Sequence, residues 1–159
     1  MARSVLFVCL GNICRSPLAE AAFRQAANQA GLEISIDSAG TGDWHIGHAP
    51  DARAQAVARQ HGVDITTYRA RQVVPADFFR FTHIVALDAQ NLADLKALRP
   101  AGGHASLSLL LDHVAAREGQ DVADPYYGDA TDFEIAWADV EAGAKGLIAA
   151  LSRDPDAGC

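Results

Sequence analysis

Cys9, Arg15 and Ser16 fall within one short segment, Cys9-Leu10-Gly11-Asn12-Ile13-Cys14-Arg15-Ser16. It lies between an apolar run, Val5-Leu6-Phe7-Val8, and an Ala-rich helical pattern that opens at Pro17. A strand-to-helix turn presents unpaired backbone N–H groups and the positive end of a helix dipole to whatever fills its concavity. Those are the conditions for holding a phosphoryl group. Gly11 lets the backbone curl towards a ligand, and Asn12 tolerates left-handed backbone and carries an amide to tie the loop together. Arg15 offers a planar fork to two phosphate oxygens. Ser16 is expected to cap the helix and Pro17 to be its first residue. Glu20, four residues after Ser16, misses a capping box by one. The field that draws phosphate also favours a thiolate at Cys9, a ready nucleophile. Such a transfer needs no metal, since Arg15 and the loop amides can hold the charge.

An acid is the second requirement. Asp124-Pro125 lies in a turn-rich stretch between Gln120 and Asp132, where Pro125 restricts Asp124 to extended backbone and aims its carboxyl group. So aimed, it could protonate a departing oxygen and then take a proton from an attacking water. Asp121, Asp129 and Asp132 read as solvated neighbours. Trp44, Tyr126 and Tyr127 stand in predicted loops; they suit a slot for a phenyl phosphate, though on composition alone they could equally be lids on the core.

Cys9 to Pro17 resembles the phosphate loop of the low-molecular-weight protein tyrosine phosphatases, whose pattern is V-C-x-G-N-x-C-R-S-P. Three later segments resemble that family in the same order: Ser38-Ala39-Gly40-Thr41-Gly42 with Asp43-Trp44, then Arg69-Ala70-Arg71-Gln72, then Asp124-Pro125-Tyr126-Tyr127. The resemblance covers nearly the whole chain. It implies Cys9 as nucleophile, Arg15 as phosphoryl binder and transition-state stabiliser, and Asp124 as general acid and base. Leu10, Gly11, Asn12, Ile13, Cys14 and Ser16 would form the phosphate-binding loop, with Ser38 and Tyr68 supporting it. Ile13, Trp44, Tyr126 and Tyr127 would line the substrate pocket. Many relatives carry His at the position of Tyr68, where it fixes the loop Asn; a tyrosine can donate a hydrogen bond there but not an imidazolium charge. The arginine-phosphatase branch typically has Thr at the position of Ile13, so Ile13 favours phosphotyrosine.

The activity implied is hydrolysis of phosphotyrosine in proteins through a cysteinyl-phosphate, with no cofactor or metal. Phosphotyrosine proteins would be the partners, and a cognate tyrosine kinase is compatible with that reading. The alternatives are a protein-arginine phosphatase and, from another class, a binding module that captures phospho-ligands without turnover; an intact acid argues against the latter. A thioredoxin-coupled arsenate reductase would need a downstream cysteine pair, and none stands between Cys14 and Cys159. A zinc site from His45, His48 and the cysteines has the wrong spacing. Tyr126 and Tyr127 are candidates for phosphorylation. Cys9 and Cys14 are close enough in sequence for a bridge that would protect Cys9 from irreversible oxidation.

The elements that must position these residues alternate strand and helix, the pattern of an α/β domain with a central four-stranded parallel sheet, helices on both faces, and the phosphate loop between the first strand and first helix. Strands are predicted at 3–9, 33–37, 82–87 and 106–111. Helices are predicted at 17–30, with Leu18, Ala22, Phe23, Ala26 and Ala30 on one face, at 50–61, over Leu92, Leu95 and Leu98, and at 132–151, with Trp137 in the core. In such a sheet ligands bind at the carboxyl ends of strands, where Cys9 ends the first strand and Ser38 follows the second. A chain of 159 residues, 50% hydrophobic and 21% charged, suits one domain, read as residues 1–152 with a disordered tail at 153–159. The net charge of −7 argues against nucleic acid and anionic membranes. No leader pattern or membrane-spanning run is evident, and a required thiolate calls for a reducing compartment, so the cytoplasm is expected. Oligomeric state is open.

Overall fold

A computed structural model describes residues 2–153. The apolar run near the N-terminus forms β1 (Ser4–Cys9), the one strand buried along its whole length. It lies between β2 (Ser35–Gly40) and β3 (His83–Ala86), and β4 (Ser106–Leu109) completes a parallel sheet of order β2-β1-β3-β4. A strand covered on both faces needs apolar side chains pointing both ways, which is why Val5 to Val8 are continuous rather than alternating. Val5, Phe7 and Cys9 point into one core with Leu18 and Phe23 of α1 (Arg15–Gln29), Val57 of α2 (Ala52–Gln60), and Phe133, Trp137, Val140 and Leu147 of α5 (Ala130–Arg153). Leu6 and Val8 point into the other, with Phe78 of α3 (Asp77–Arg80) and Leu95 of α4 (Ala89–Leu98). From β1 the chain passes to β2 on one side, then back across to β3 on the other. Cys9 therefore sits at the point where strand order reverses, the place where open α/β sheets bind ligands.

Several boundaries differ from the sequence expectation for physical reasons. α1 opens at Arg15, because Leu18 N already bonds Cys14 O (3.2 Å). Ser16 is thus inside the helix rather than its cap, and Pro17 is third; its missing N–H costs nothing there either, since the first four amides have no intrahelical partner. β2 extends to Gly40, held by pairing with β1 (Cys9 opposite Gly40) rather than by any side-chain pattern, so Ser38 lies within the strand. Asp51, whose carboxylate accepts from Arg53 N (2.8 Å), caps α2, which starts after Pro50. The fourth strand stops at Leu109 and turns into a 3-10 helix, Leu110–His113. The four-residue α3 had no counterpart in the sequence reading. Ala30 is exposed at the end of α1, and Leu98 is exposed on α4. The stripe of α5, Phe133, Trp137, Val140, Ala144, Leu147 and Leu151, is buried throughout. Arg153, assigned to the tail, is helical; residues 154–159 lie outside the described residues.

Candidate active site

The loop between β1 and α1 is shaped from outside. Three of its carbonyls turn away from its centre: Cys9 O accepts from Thr41 N, Leu10 O from Gly42 N and Ile13 O from Asp51 N, each at 2.9 Å. In a planar trans peptide the N–H opposes the C=O, so the amides of Leu10, Gly11 and Cys14 face the concavity. Asn12 makes the tight turn at φ 58°. Gly40 lies against it; a Cβ there would stand 2.7 Å from Leu10 O, so only glycine lets β2 run this close to the loop.

Behind the loop is a chain of hydrogen bonds whose direction is fixed by what each group can donate. Arg71 N donates to Asn12 Oδ1 (3.0 Å), which sets the orientation of the amide. Asn12 Nδ2 then gives its two hydrogens to Ser16 Oγ (2.8 Å) and Ser38 Oγ (3.0 Å). Ser38 passes its own proton to Glu20 Oε1 (2.8 Å), and Glu20 Oε2 accepts twice from Arg24 (3.0 and 2.8 Å). Ser16, accepting from Asn12, has one proton left, and Cys9 Sγ lies 3.0 Å from its oxygen. Asn12 N donates to the same sulfur at 3.3 Å. Asn12, Ser16, Glu20 and Ser38 are all buried. Burial raises the Glu20 carboxyl above its usual range, and the bonds from Arg24 and Ser38 offset part of that rise.

Ser38 is bonded directly to Asn12 of the loop. Tyr68 does not reach it: its hydroxyl lies near Glu20 and Arg24, where burial and the Glu20 charge raise its pKa and Arg24 opposes that rise. Among the described residues no hydrogen bond joins the Tyr68 side chain to Asn12.

Arg15 is 4% exposed. Its Nη1 donates to Asp88 Oδ2 (2.7 Å) and Val122 O (2.9 Å), and its Nη2 stands 3.7 Å from Asp124 Oδ2. Burial lowers the guanidinium pKa, but the charge of Cys9 and the hydrogen bond to Asp88 outweigh it and hold the group above its ordinary value. Asp88 also caps α4, accepting from Asn91 N (2.7 Å), so one carboxylate fixes both a helix start and the arginine. The Asp124 carboxyl is 42% exposed and accepts from Tyr126 N (3.1 Å) in a local turn.

Cys9, Leu10, Gly11, Ile13, Cys14, Arg15, Trp44, His45, Asp124, Tyr126 and Tyr127 line one cavity of about 400 Å³. That lies within the ~300–1,000 Å³ typical of small-molecule sites. Trp44, 66% exposed, and Tyr127, 93% exposed, stand at its mouth; Tyr127 packs edge-on against Tyr126 at 4.9 Å. Cys14 is a buried wall residue whose thiol is pushed well above its usual range by burial and then by Asp51, Cys9 and Asp124. Cys9 and Cys14 are both free thiols. Asn12, Ser16, Ser38 and Tyr68 stand behind the cavity rather than in it. His45, weighed in the sequence only as a zinc ligand, lines the cavity, its ring 5.9 Å from that of His48. Sequence reasoning also missed Asp88, Glu20, Arg71 and Asp51 as supports. Asp121, Asp129 and Asp132 are exposed, but each bonds a helix-start or loop amide: Ala89 N, Thr131 N and Asp129 N respectively.

A sequence model described as low molecular weight phosphotyrosine protein phosphatase matches residues 4–157. A low molecular weight protein-tyrosine-phosphatase of Bacillus subtilis, YfkJ, is 42% identical over 153 residues, 95% of this chain and 97% of its own. One from Streptomyces coelicolor is 45% identical, covering 95% and 94%. The crystal structure of YfkJ superposes with a TM-score of 0.90 at 40% identity, over 98% of each chain. A Drosophila arginine phosphatase superposes at 0.88 with 30% identity, over 96% and 99%. A thiol, an arginine and a carboxylate thus meet around a loop of inward amides. The chain belongs to the low molecular weight phosphotyrosine protein phosphatase family, and it is a phosphatase.

Proposed function

We propose that this enzyme hydrolyses phosphotyrosine in proteins in two steps centred on Cys9. The observation that carries the reading is the placement of Cys9 Sγ, Arg15 and the Asp124 carboxyl around one cavity with aromatic walls. In the first step Cys9 Sγ attacks phosphorus, the bond from phosphorus to the tyrosyl oxygen breaks, and that oxygen takes the proton of Asp124. In the second the Asp124 carboxylate removes a proton from water, the water oxygen attacks phosphorus, and the P–S bond breaks to return the thiolate and inorganic phosphate. Nη1 of Arg15 is occupied by Asp88 and Val122, which leaves its Nε–Nη2 edge for two phosphoryl oxygens. The inward amides of the loop take the rest of the charge. Ser16 and Asn12 N hold the sulfur, so its charge is stabilised before substrate arrives.

Ile13, Trp44, Tyr126 and Tyr127 give the cavity apolar walls suited to a phenyl ring, where a serine side chain would leave them bare. Its substrates are therefore phosphotyrosine proteins, among them the products of a tyrosine kinase, and its thiolate chemistry suits the reducing cytoplasm. Among the described residues no helix is long and apolar enough to cross a membrane. The test is phosphate release from matched phosphotyrosine, phosphoarginine and phosphoserine peptides in EDTA. Turnover of the phosphotyrosine peptide, lost with Cys9→Ser, is expected; preference for phosphoarginine would overturn the substrate assignment and keep the chemistry. Binding without turnover by the unaltered enzyme would overturn both.

A further inference from the structure

Resting on the reading of Asp124 as general acid, the geometry points to Arg53 as the residue that positions it, by strapping the acid loop to the phosphate loop. Arg53 lies in the first turn of α2, and its guanidinium reaches two ways. Inward, Nε and Nη2 donate to the two oxygens of Asp51, both at 3.0 Å. Asp51 N in turn donates to Ile13 O of the phosphate loop (2.9 Å). Outward, Nη2 also donates to Tyr126 O (3.0 Å) and Nη1 to Gly128 O (3.2 Å). The same planar group lies over the rings of Phe133 (4.7 Å) and Tyr126 (5.7 Å). Tyr126 N then holds Asp124 Oδ1 at 3.1 Å. The connection therefore runs Ile13, Asp51, Arg53, Tyr126, Asp124 without a gap.

The strap has work that only an arginine can do. Between buried Val122 and buried Phe133 the chain is exposed at every position except Pro125, so packing does little to fix it. Its internal bonds, Gly128 N to Pro125 O (2.9 Å) and the capping pairs of Asp129 and Asp132, shape the segment without tying it to the body of the protein. Arg53 supplies that tie from one flat fork that serves two carboxylate oxygens, two carbonyls and two ring faces. A lysine, a point charge with one nitrogen, cannot span them. Arg53 itself does not line the cavity. It acts through Tyr126, and its loss should be felt where Asp124 donates its proton.

Protonation matters only when the leaving oxygen is a poor leaving group, which separates this role from a general structural one. kcat/KM is measured for phenyl phosphate, whose leaving group needs a proton, and for dinitrophenyl phosphate, whose leaving group does not. The enzymes compared are the unaltered protein, Arg53→Ala, Arg53→Lys, Asp124→Asn and the double variant, each with its melting temperature. A misplaced catalytic group can cost up to roughly 10²-fold, so about a tenfold loss is expected with phenyl phosphate and less than about twofold with dinitrophenyl phosphate. Arg53→Lys should behave as Arg53→Ala does, and the Arg53 change should cost nothing further once Asp124 is Asn. Equal losses on both substrates, or a further loss in the Asp124→Asn background, would overturn the proposal. If Arg53→Ala does not fold, Arg53→Gln gives the same readings. Equal losses for Asp124→Asn on the two esters would instead overturn the acid assignment beneath it.

Discussion

The loop between β1 and α1, which we read as phosphate-binding, and the Asp124 loop, which we read as supplying the acid, line one cavity and are held in opposite ways. The first is backed by buried Asn12, Ser16, Ser38 and Glu20, with every donor hydrogen of the Asn12 side chain assigned. The second is exposed from Ala123 to Asp132 apart from Pro125 and is tied down by its own turn, by the Arg53 guanidinium on its backbone and by the Arg15 ion pair with Asp124. On the proposed mechanism the Cys9 side carries the phosphoryl charge, and a buried, fully satisfied network holds such a charge without reorganising. The acid's side must admit a large substrate and release it, which an exposed segment allows. Burial is thus concentrated behind the β1–α1 loop, and exposure is left on the side where substrate must pass.

Substitutions on the two sides should separate rate from stability. Cys9→Ser should reduce phosphate release by roughly 10⁴-fold or more while leaving phosphate binding intact, checked by turnover and by equilibrium titration. Asp124→Asn should cost about 10²–10³-fold in kcat. Its unfolding free energy should stay within about 0.5 kcal/mol, since an exposed carboxylate contributes little to stability; a larger change by denaturant titration would break the contrast. Asn12→Ala should injure both properties: roughly tenfold to 10²-fold in kcat/KM, and about 1–3 kcal/mol because Ser38 and Arg71 N lose a buried partner. Gly40→Ala should act likewise, since its Cβ would press on Leu10 O; a rate loss of about tenfold is expected, with a crystal structure showing the loop displaced.

The smallest effect lies outside both regions. His113, bonded to Ser108 Oγ (3.0 Å), has its pKa lowered by burial, with Asp112 opposing. On acidification the unfolded chain takes up that proton first, so the stability it contributes is complete above about pH 6.5 and declines as pH falls towards the folded value. Denaturation of His113→Gln at pH 7.5 and 5.5 should show a flatter pH dependence than the unaltered protein.

That Cys9, Arg15 and the loop between them share one site was legible because a run of neighbouring residues folds into one turn. Val5 to Val8 and the stripe from Phe133 to Leu151 were legible because burial leaves a period. The supports Glu20 and Asp88 were not. Glu20 meets Ser38 from 18 residues away and Arg15 meets Asp88 from 73 away, and nothing in either local segment records its partner. Ser38-Ala39-Gly40 has no strand signature, so its pairing with β1 became visible only in the sheet. Ser16 looked like a cap because a hydroxyl before Pro17 has that form; in the fold the same hydroxyl faces a sulfur. The four residues of α3 are too few to carry a helical period.

The two tryptophans also have a consequence for watching the enzyme by light. Trp44 stands at the cavity mouth over Gly42, open to water, while Trp137 is sealed in the core with its indole stacked on His61 at 4.8 Å. Their emission should differ in wavelength and in quenching by iodide, which reaches one ring and not the other. Filling the cavity should shift the red component alone, and unfolding should move the blue one to join it, so a single unlabelled sample reports occupancy and integrity in separate colours.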